Sequence, residues 1–203
     1  MTVIIGYKHE GEVWMGADSF MGNENYLYHV KDPKIFRAHV PNGGPMLVGA
    51  SGGSRAGFLV RSMLMPEHPE GVDTHTYIAE FFVNALRERY EKAGYLETEN
   101  GSEKNEAILM VGYQGCLFCI WYNFQVDEYA EDYAAIGAGM DVALGALHVL
   151  NEFAYGGIIE KLRAALFACE HHNPWVRRPF TIMKVEEPKE HADDLAVTPD
   201  LKG

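Results

Sequence analysis

Two short alternating runs, Val3-Ile4-Ile5 and Val13-Trp14-Met15, flank Glu10-Gly11-Glu12, and this pattern constrains the chain more than any other feature. Period-two alternation broken by a glycine reads as a β-hairpin. With the turn centred near residues 10 and 11, paired positions sum to about 20 or 21, so Thr2 falls opposite Asp18 or Ser19. A slip of one residue would exchange the two faces. Lys34-Ile35-Phe36 opens the next apolar run, and a third strand there returns the Lys34 ammonium toward the same place.

Thr2 directly follows the initiator. A small residue there is expected to permit removal of Met1, which sets a free α-amine beside a hydroxyl on one residue. Hydroxyl, amine, lysine and carboxylate together form the threonine variant of the catalytic triad. Lys34 would keep the amine deprotonated and lower the hydroxyl pKa, while Asp18 would hold Lys34 in place. The bland readings are a turn or cap residue for Asp18 and a solvated surface charge for Lys34.

The spacing of Thr2, Asp18 and Lys34 resembles that of the proteasome β-subunit and HslV peptidases, which are N-terminal nucleophile hydrolases. Gly16-Ala17-Asp18-Ser19, Val48-Gly49-Ala50-Ser51-Gly52-Gly53-Ser54 and Ala135-Ile136-Gly137-Ala138-Gly139 agree with the same pattern, over roughly residues 2 to 185. The resemblance implies a threonine-type peptidase with Thr2 as nucleophile, its amine as base, Lys34 as activator, Asp18 as anchor and the Gly49 amide as oxyanion donor. It also implies a four-layer αββα sandwich, a homo-oligomeric ring enclosing the site, and an ATP-driven unfoldase as a partner. Met21, Phe36 and Leu47 match positions near the first specificity pocket, where they would favour an apolar or neutral side chain. Ser51 is counted with them as substrate-binding.

The formal net charge of -12 argues against a general binder of nucleic acid or anionic membranes, because no clustered basic face offsets it. No apolar run approaches ~18 residues and no signal-peptide pattern opens the chain, so a cytoplasmic protein is expected. Three cysteines do not suggest a disulfide framework. Cys116 and Cys119 lie three apart in an apolar run; on a strand they face opposite ways, so structural thiols are expected rather than a zinc or redox pair. His171 and His172 likewise diverge and have no ligand partner at suitable spacing, so no metal site is expected. No nucleotide or other cofactor is called for, since the glycine-rich stretch after Val48 lacks a Walker lysine.

A polar connection is expected over residues 20 to 32, and a second hairpin over 34 to 39 and 45 to 50 around Pro41-Asn42-Gly43-Gly44-Pro45. Helical patterns follow at Phe58-Leu59 with Met63-Leu64 and over Thr74 to Ala93. The stretch from Glu97 to Glu106 reads as a polar break, residues 107 to 113 and 116 to 122 as a hairpin around Gln114-Gly115. Helices opened by Gly137-Ala138-Gly139 and running from about Ile158 to Cys169 precede a last strand, Phe180 to Val185. Residues 1 to 185 are expected to form one domain, and 186 to 203 an acidic, flexible tail. Element order alone gives an α+β class with two sheets between helical layers.

Two departures from the resembling family stand out. Ala138 occupies a position where most active members carry serine, and His171-His172-Asn173-Pro174 replaces a segment that supplies an Asp and a Ser. Ser51 or Ser54 could make up for the missing hydroxyl, or could cap the following helix. An inert ring or scaffold subunit is therefore the alternative to a peptidase, although the α-type extension ahead of the first strand is not expected here. A hydrolase of non-peptide amides is the third reading.

Overall fold

The computed structural model describes residues 2–22, 26–28, 31–99 and 101–186. The tail expected beyond Glu186 lies outside them. β1 (Val3–His9) and β2 (Glu12–Ala17) form the first hairpin in register Ile4↔Ala17, so paired positions sum to 21. Glu10 and Gly11 at its tip both have positive φ, 49° and 80°, as a primed two-residue turn requires.

Residues 20 to 32 are not merely a connection, because Met21–Gly22 (β3) pairs with Leu27–Tyr28 (β4) as a small ribbon. β5 (Ile35–Val40) and β6 (Gly44–Gly52) make the second hairpin, and α1 (Ser54–Arg61) follows. The helix ends at Arg61, short of Met63 and Leu64, and Leu64 stands exposed. The long helix α2 runs continuously over residues 74–92, with Asp73 accepting from Thr76 N at 2.9 Å as its cap and a π-helical stretch at Tyr77–Phe82. The polar stretch after it is no simple break: Glu97–Glu99 (β7) and Ser102–Lys104 (β8) pair as a second ribbon.

β9 (Ala107–Tyr113) and β10 (Cys116–Ile120) turn at Gln114 and Gly115, again both at positive φ. β11 (Val126–Glu128), β12 (Tyr133–Gly137), α3 (Met140–Glu152), α4 (Ile158–His172) and β13 (Thr181–Lys184) complete the chain. His171 and His172 thus end a helix, one turn beyond the Cys169 boundary expected from sequence.

One sheet has the order β12-β1-β2-β13 and the other β11-β10-β9-β6-β5. Their facing sides share Ile4, Met15, Leu47, Met110, Leu117 and Ile136. Alternate residues of the same strands point outward: Val3, Ile5 and Tyr7 pack under α3 and α4, while Phe36, Val48 and Val111 pack under α1 and α2. Each sheet is therefore buried on both faces, which is the αββα sandwich. Two glycines set the sheet separation. A Cβ on Gly6 would come 2.6 Å from Leu117, and one on Gly112 would come 2.7 Å from Val13. Cys116 and Cys119 face opposite sides, as strand parity requires, and burial pushes the Cys119 thiol up to about 12. Among the described residues no group of His, Cys, Asp or Glu could hold a metal ion, and no helix is long and apolar enough to cross a membrane.

Candidate active site

Thr2 precedes β1, and Asp18 follows β2 where the hairpin register brings the strand ends together. Asp18 is fully buried and organises what surrounds it. Its Oδ1 accepts from Val3 N at 3.0 Å and from Lys34 Nζ at 2.9 Å, and its Oδ2 accepts from Phe20 N at 3.0 Å and Arg177 N at 3.4 Å. A carboxylate removed from water needs such partners on both oxygens. One side chain thus ties the residue after Thr2 to the ammonium delivered from the start of β5. Ser19 N bonds Arg177 O at 3.1 Å, so the segment leading to β13 braces the same corner.

Lys34 does not reach into solvent; its side chain is 7 % exposed against none for Asp18. Burial lowers its pKa below that of an ordinary lysine, and Asp18 opposes the shift without overcoming it. An ammonium held in this way is a strong local field with little water to screen it.

Thr2 and Lys34 line one cavity of about 230 Å³, together with Met21, Phe36, Gly52 and Arg61. Of the four positions expected to meet substrate, Met21 and Phe36 therefore do border it. Leu47 does not. Register pairs Phe36 with Val48 and Arg37 with Leu47, so Phe36 and Leu47 lie on opposite faces of the sheet, and Leu47 is wholly enclosed between the two sheets. The run Met46-Leu47-Val48 is apolar throughout because β6 is buried on both faces, so no alternation in the sequence separates Leu47 from Phe36.

Gly49 shares that inward parity. A Cβ there would sit 3.0 Å from Ile4 and Ile35, and Gly49 is not part of the cavity wall. Ala50 N bonds Lys34 O on the β5 side at 3.3 Å, and Gly53 N bonds Glu106 O on the β9 side at 3.0 Å. Amides alternate edges along an antiparallel strand, so Gly49 N faces β9 and is spent in the ladder opposite Met110. Gly52 N, in phase with Ala50, is directed beyond the first residue of β5, and Gly52 borders the cavity with φ of 108°.

Ser51 is buried and turned the other way, toward the glycine loop after β12. A Cβ on Gly137 would come 2.3 Å from Thr2 O and 2.6 Å from Ser51 Oγ, so the backbone of Thr2 and the Ser51 hydroxyl meet around the space this glycine leaves open. Neither Ser51 nor Ser54 caps α1, whose N-cap is Gly53 with no side-chain bond. Ala138 contributes only backbone here, its carbonyl accepting from Asn173 Nδ2 at 2.7 Å. Arg61 was not legible as a cavity residue, because only the packing of α1 on β6 brings its side chain over Phe36.

No family model matches the sequence, and no curated protein does. Solved structures match it over nearly its whole length. BPH from Thiobacillus denitrificans, in complex with epoxomicin, superposes with a TM-score of 0.71 at 16% identity, covering 92% of this chain and 100% of that one. HslV from Trypanosoma brucei gives 0.62 at 17% identity, over 91% and 99% of the two chains. Anbu from Yersinia bercovieri gives 0.63 at 13% identity, over 91% and 81%. At these identities the likeness is one of architecture: the chain has the αββα fold of the proteasome-like Ntn hydrolases.

Proposed function

We propose that the protein is a threonine-type N-terminal nucleophile hydrolase that cleaves peptide bonds once Met1 has been removed. The observation carrying this reading is the single carboxylate of Asp18, which bonds both the Val3 amide and the Lys34 ammonium while Thr2 and Lys34 border one cavity. In the first step Thr2 Oγ attacks the substrate carbonyl carbon and its proton passes to the Thr2 α-amine. Lys34 favours the neutral amine and the developing alkoxide. The oxyanion is met by the amide of Gly52 in place of Gly49. The intermediate collapses as the peptide nitrogen leaves with the proton held by the amine. Water then attacks the ester and restores Thr2.

Ser51 takes the place of the hydroxyl that Ala138 lacks and positions the Thr2 amine. Exposed Phe153 and Tyr155 at the turn from α3 to α4, with Val149 and Ile159 beside them in sequence, give an apolar surface that suits assembly of copies into a ring. An unfoldase partner belongs to the same reading.

Intact mass measures Met1 removal, and epoxomicin, the ligand bound to the similar BPH, is the probe for the nucleophile. A single adduct at Thr2 in the processed protein, absent from Thr2→Ala, is the expected result. Processed protein that never reacts favours the second reading, an inert ring subunit, for which the missing hydroxyl at Ala138 is the specific observation.

A further inference from the structure

The cavity beside Thr2 holds a cation with spare hydrogen-bonding capacity. Arg61, the last residue of α1, lays its guanidinium over the Phe36 ring at 4.3 Å and donates from Nη2 to Pro33 O. That is its only hydrogen bond among the described residues, although a guanidinium carries five N–H donors. The group is half-buried, and burial pulls its pKa below the ordinary arginine value, with Asp32 opposing from an exposed position. No salt bridge joins Arg61 to a carboxylate among the described residues, whereas Lys34 on the same wall has Asp18. Met21, Phe36, Phe58, Gly57 and Pro33 give the wall its apolar and backbone part, and Asp32, Tyr28, Ser54 and Lys34 border the same cavity.

We infer that Arg61 makes this cavity a subsite for a substrate side chain ending in a carboxylate, so that the protein acts on peptides with glutamate or aspartate at the residue bound there. The inference rests on reading the cavity as the substrate site of Thr2. Stacking on Phe36 holds the guanidinium plane in place, the apolar wall receives the methylenes, and a planar fork with free donors matches a carboxylate. An apolar side chain would instead leave those donors buried and unanswered, which costs free energy. The neutral preference expected from Met21, Phe36 and Leu47 changes because Leu47 is absent from the wall and Arg61 is present.

The test compares dye-labelled peptides identical except for Glu or Gln at the residue preceding the scissile bond, a pair matched in size and differing in charge. Turnover by the processed enzyme should favour Glu by about tenfold in kcat/KM. The same preference should appear as anisotropy binding to Thr2→Ala, which does not depend on chemistry. Arg61→Gln, which keeps a donor for Pro33 O, should bring the ratio close to one, and Arg61→Lys should retain part of it, with melting curves recorded for each. A ratio at or below one in either assay, binding of neither peptide, or a ratio unmoved in folded Arg61→Gln overturns the inference. Glu-selective binding without epoxomicin labelling would sink the chemistry at Thr2 and leave the subsite standing; labelling without selectivity would do the reverse.

Discussion

Lys34 and Arg61 border the same cavity and are both drawn out of water, yet only Lys34 faces a carboxylate at salt-bridge distance. Asp18 meets Lys34 at 2.9 Å and is itself saturated by three backbone amides, so this cation is fixed before any substrate arrives. Arg61 rests on an aromatic ring and one carbonyl, an arrangement that leaves donors for a partner from outside. On the function proposed above, the difference separates a charge that prepares chemistry from one that selects what is processed. Preorganised charge at a reacting centre needs no rearrangement during the reaction, whereas a selecting charge must be incomplete until ligand binds.

The sharpest way to break this comparison is to remove the fixed cation. Lys34→Met should lower kcat by at least about 10²- to 10⁴-fold, the range of general acid–base contributions, and should slow epoxomicin labelling in proportion. Rates within a few-fold of the parent would place the activating charge elsewhere. Breaking the pair from the other side, Asp18→Ala should destabilise the fold by roughly 3–5 kcal/mol, because it strands a buried ammonium and three amides. Urea unfolding measures this, and a loss under about 1 kcal/mol would show that the pair contributes little to stability.

The pH response sharpens the contrast further. The folded pKa of Lys34 lies below its unfolded value, so the unfolded chain keeps the proton to higher pH. Between the two values folding stability therefore rises with pH as the buried site sheds its charge. Over the same window activity should fall as the activating charge is lost, giving an alkaline limb in kcat below the ~10.4 of an ordinary lysine. A limb absent up to that pH would mean that Lys34 stays charged in the working site. Ser51→Ala should have the smallest effect, about tenfold in kcat with KM little changed, as expected for a hydroxyl that positions the amine. An unchanged kcat would remove Ser51 from the machinery.

Much of the fold was legible because strand parity and turn chemistry are local. The register of the first hairpin followed from Glu10-Gly11 and placed Asp18 beside the start of β1 to within a residue. The two ribbons at residues 21–28 and 97–104 were not legible, since two- or three-residue strands carry no period. Gly49 and Leu47 were misplaced for a related reason: a motif gives residue types, but which face each occupies depends on the phase of β6.

What the sequence determined alone was the return of Asp18 to the start of β1, because a tight two-residue turn closes that hairpin; Lys34, at the start of a strand in the other sheet, meets Asp18 only through the packing of the two sheets. What only the tertiary structure decided was everything contributed by packing between elements. The inward turn of Gly49, the meeting of Ser51 with the Thr2 backbone at Gly137, and the placement of Arg61 over Phe36 depend on contacts between segments far apart in the chain. Local pattern fixes which way a side chain leaves its own strand or helix; what it meets there is set by how sheets and helices close on one another.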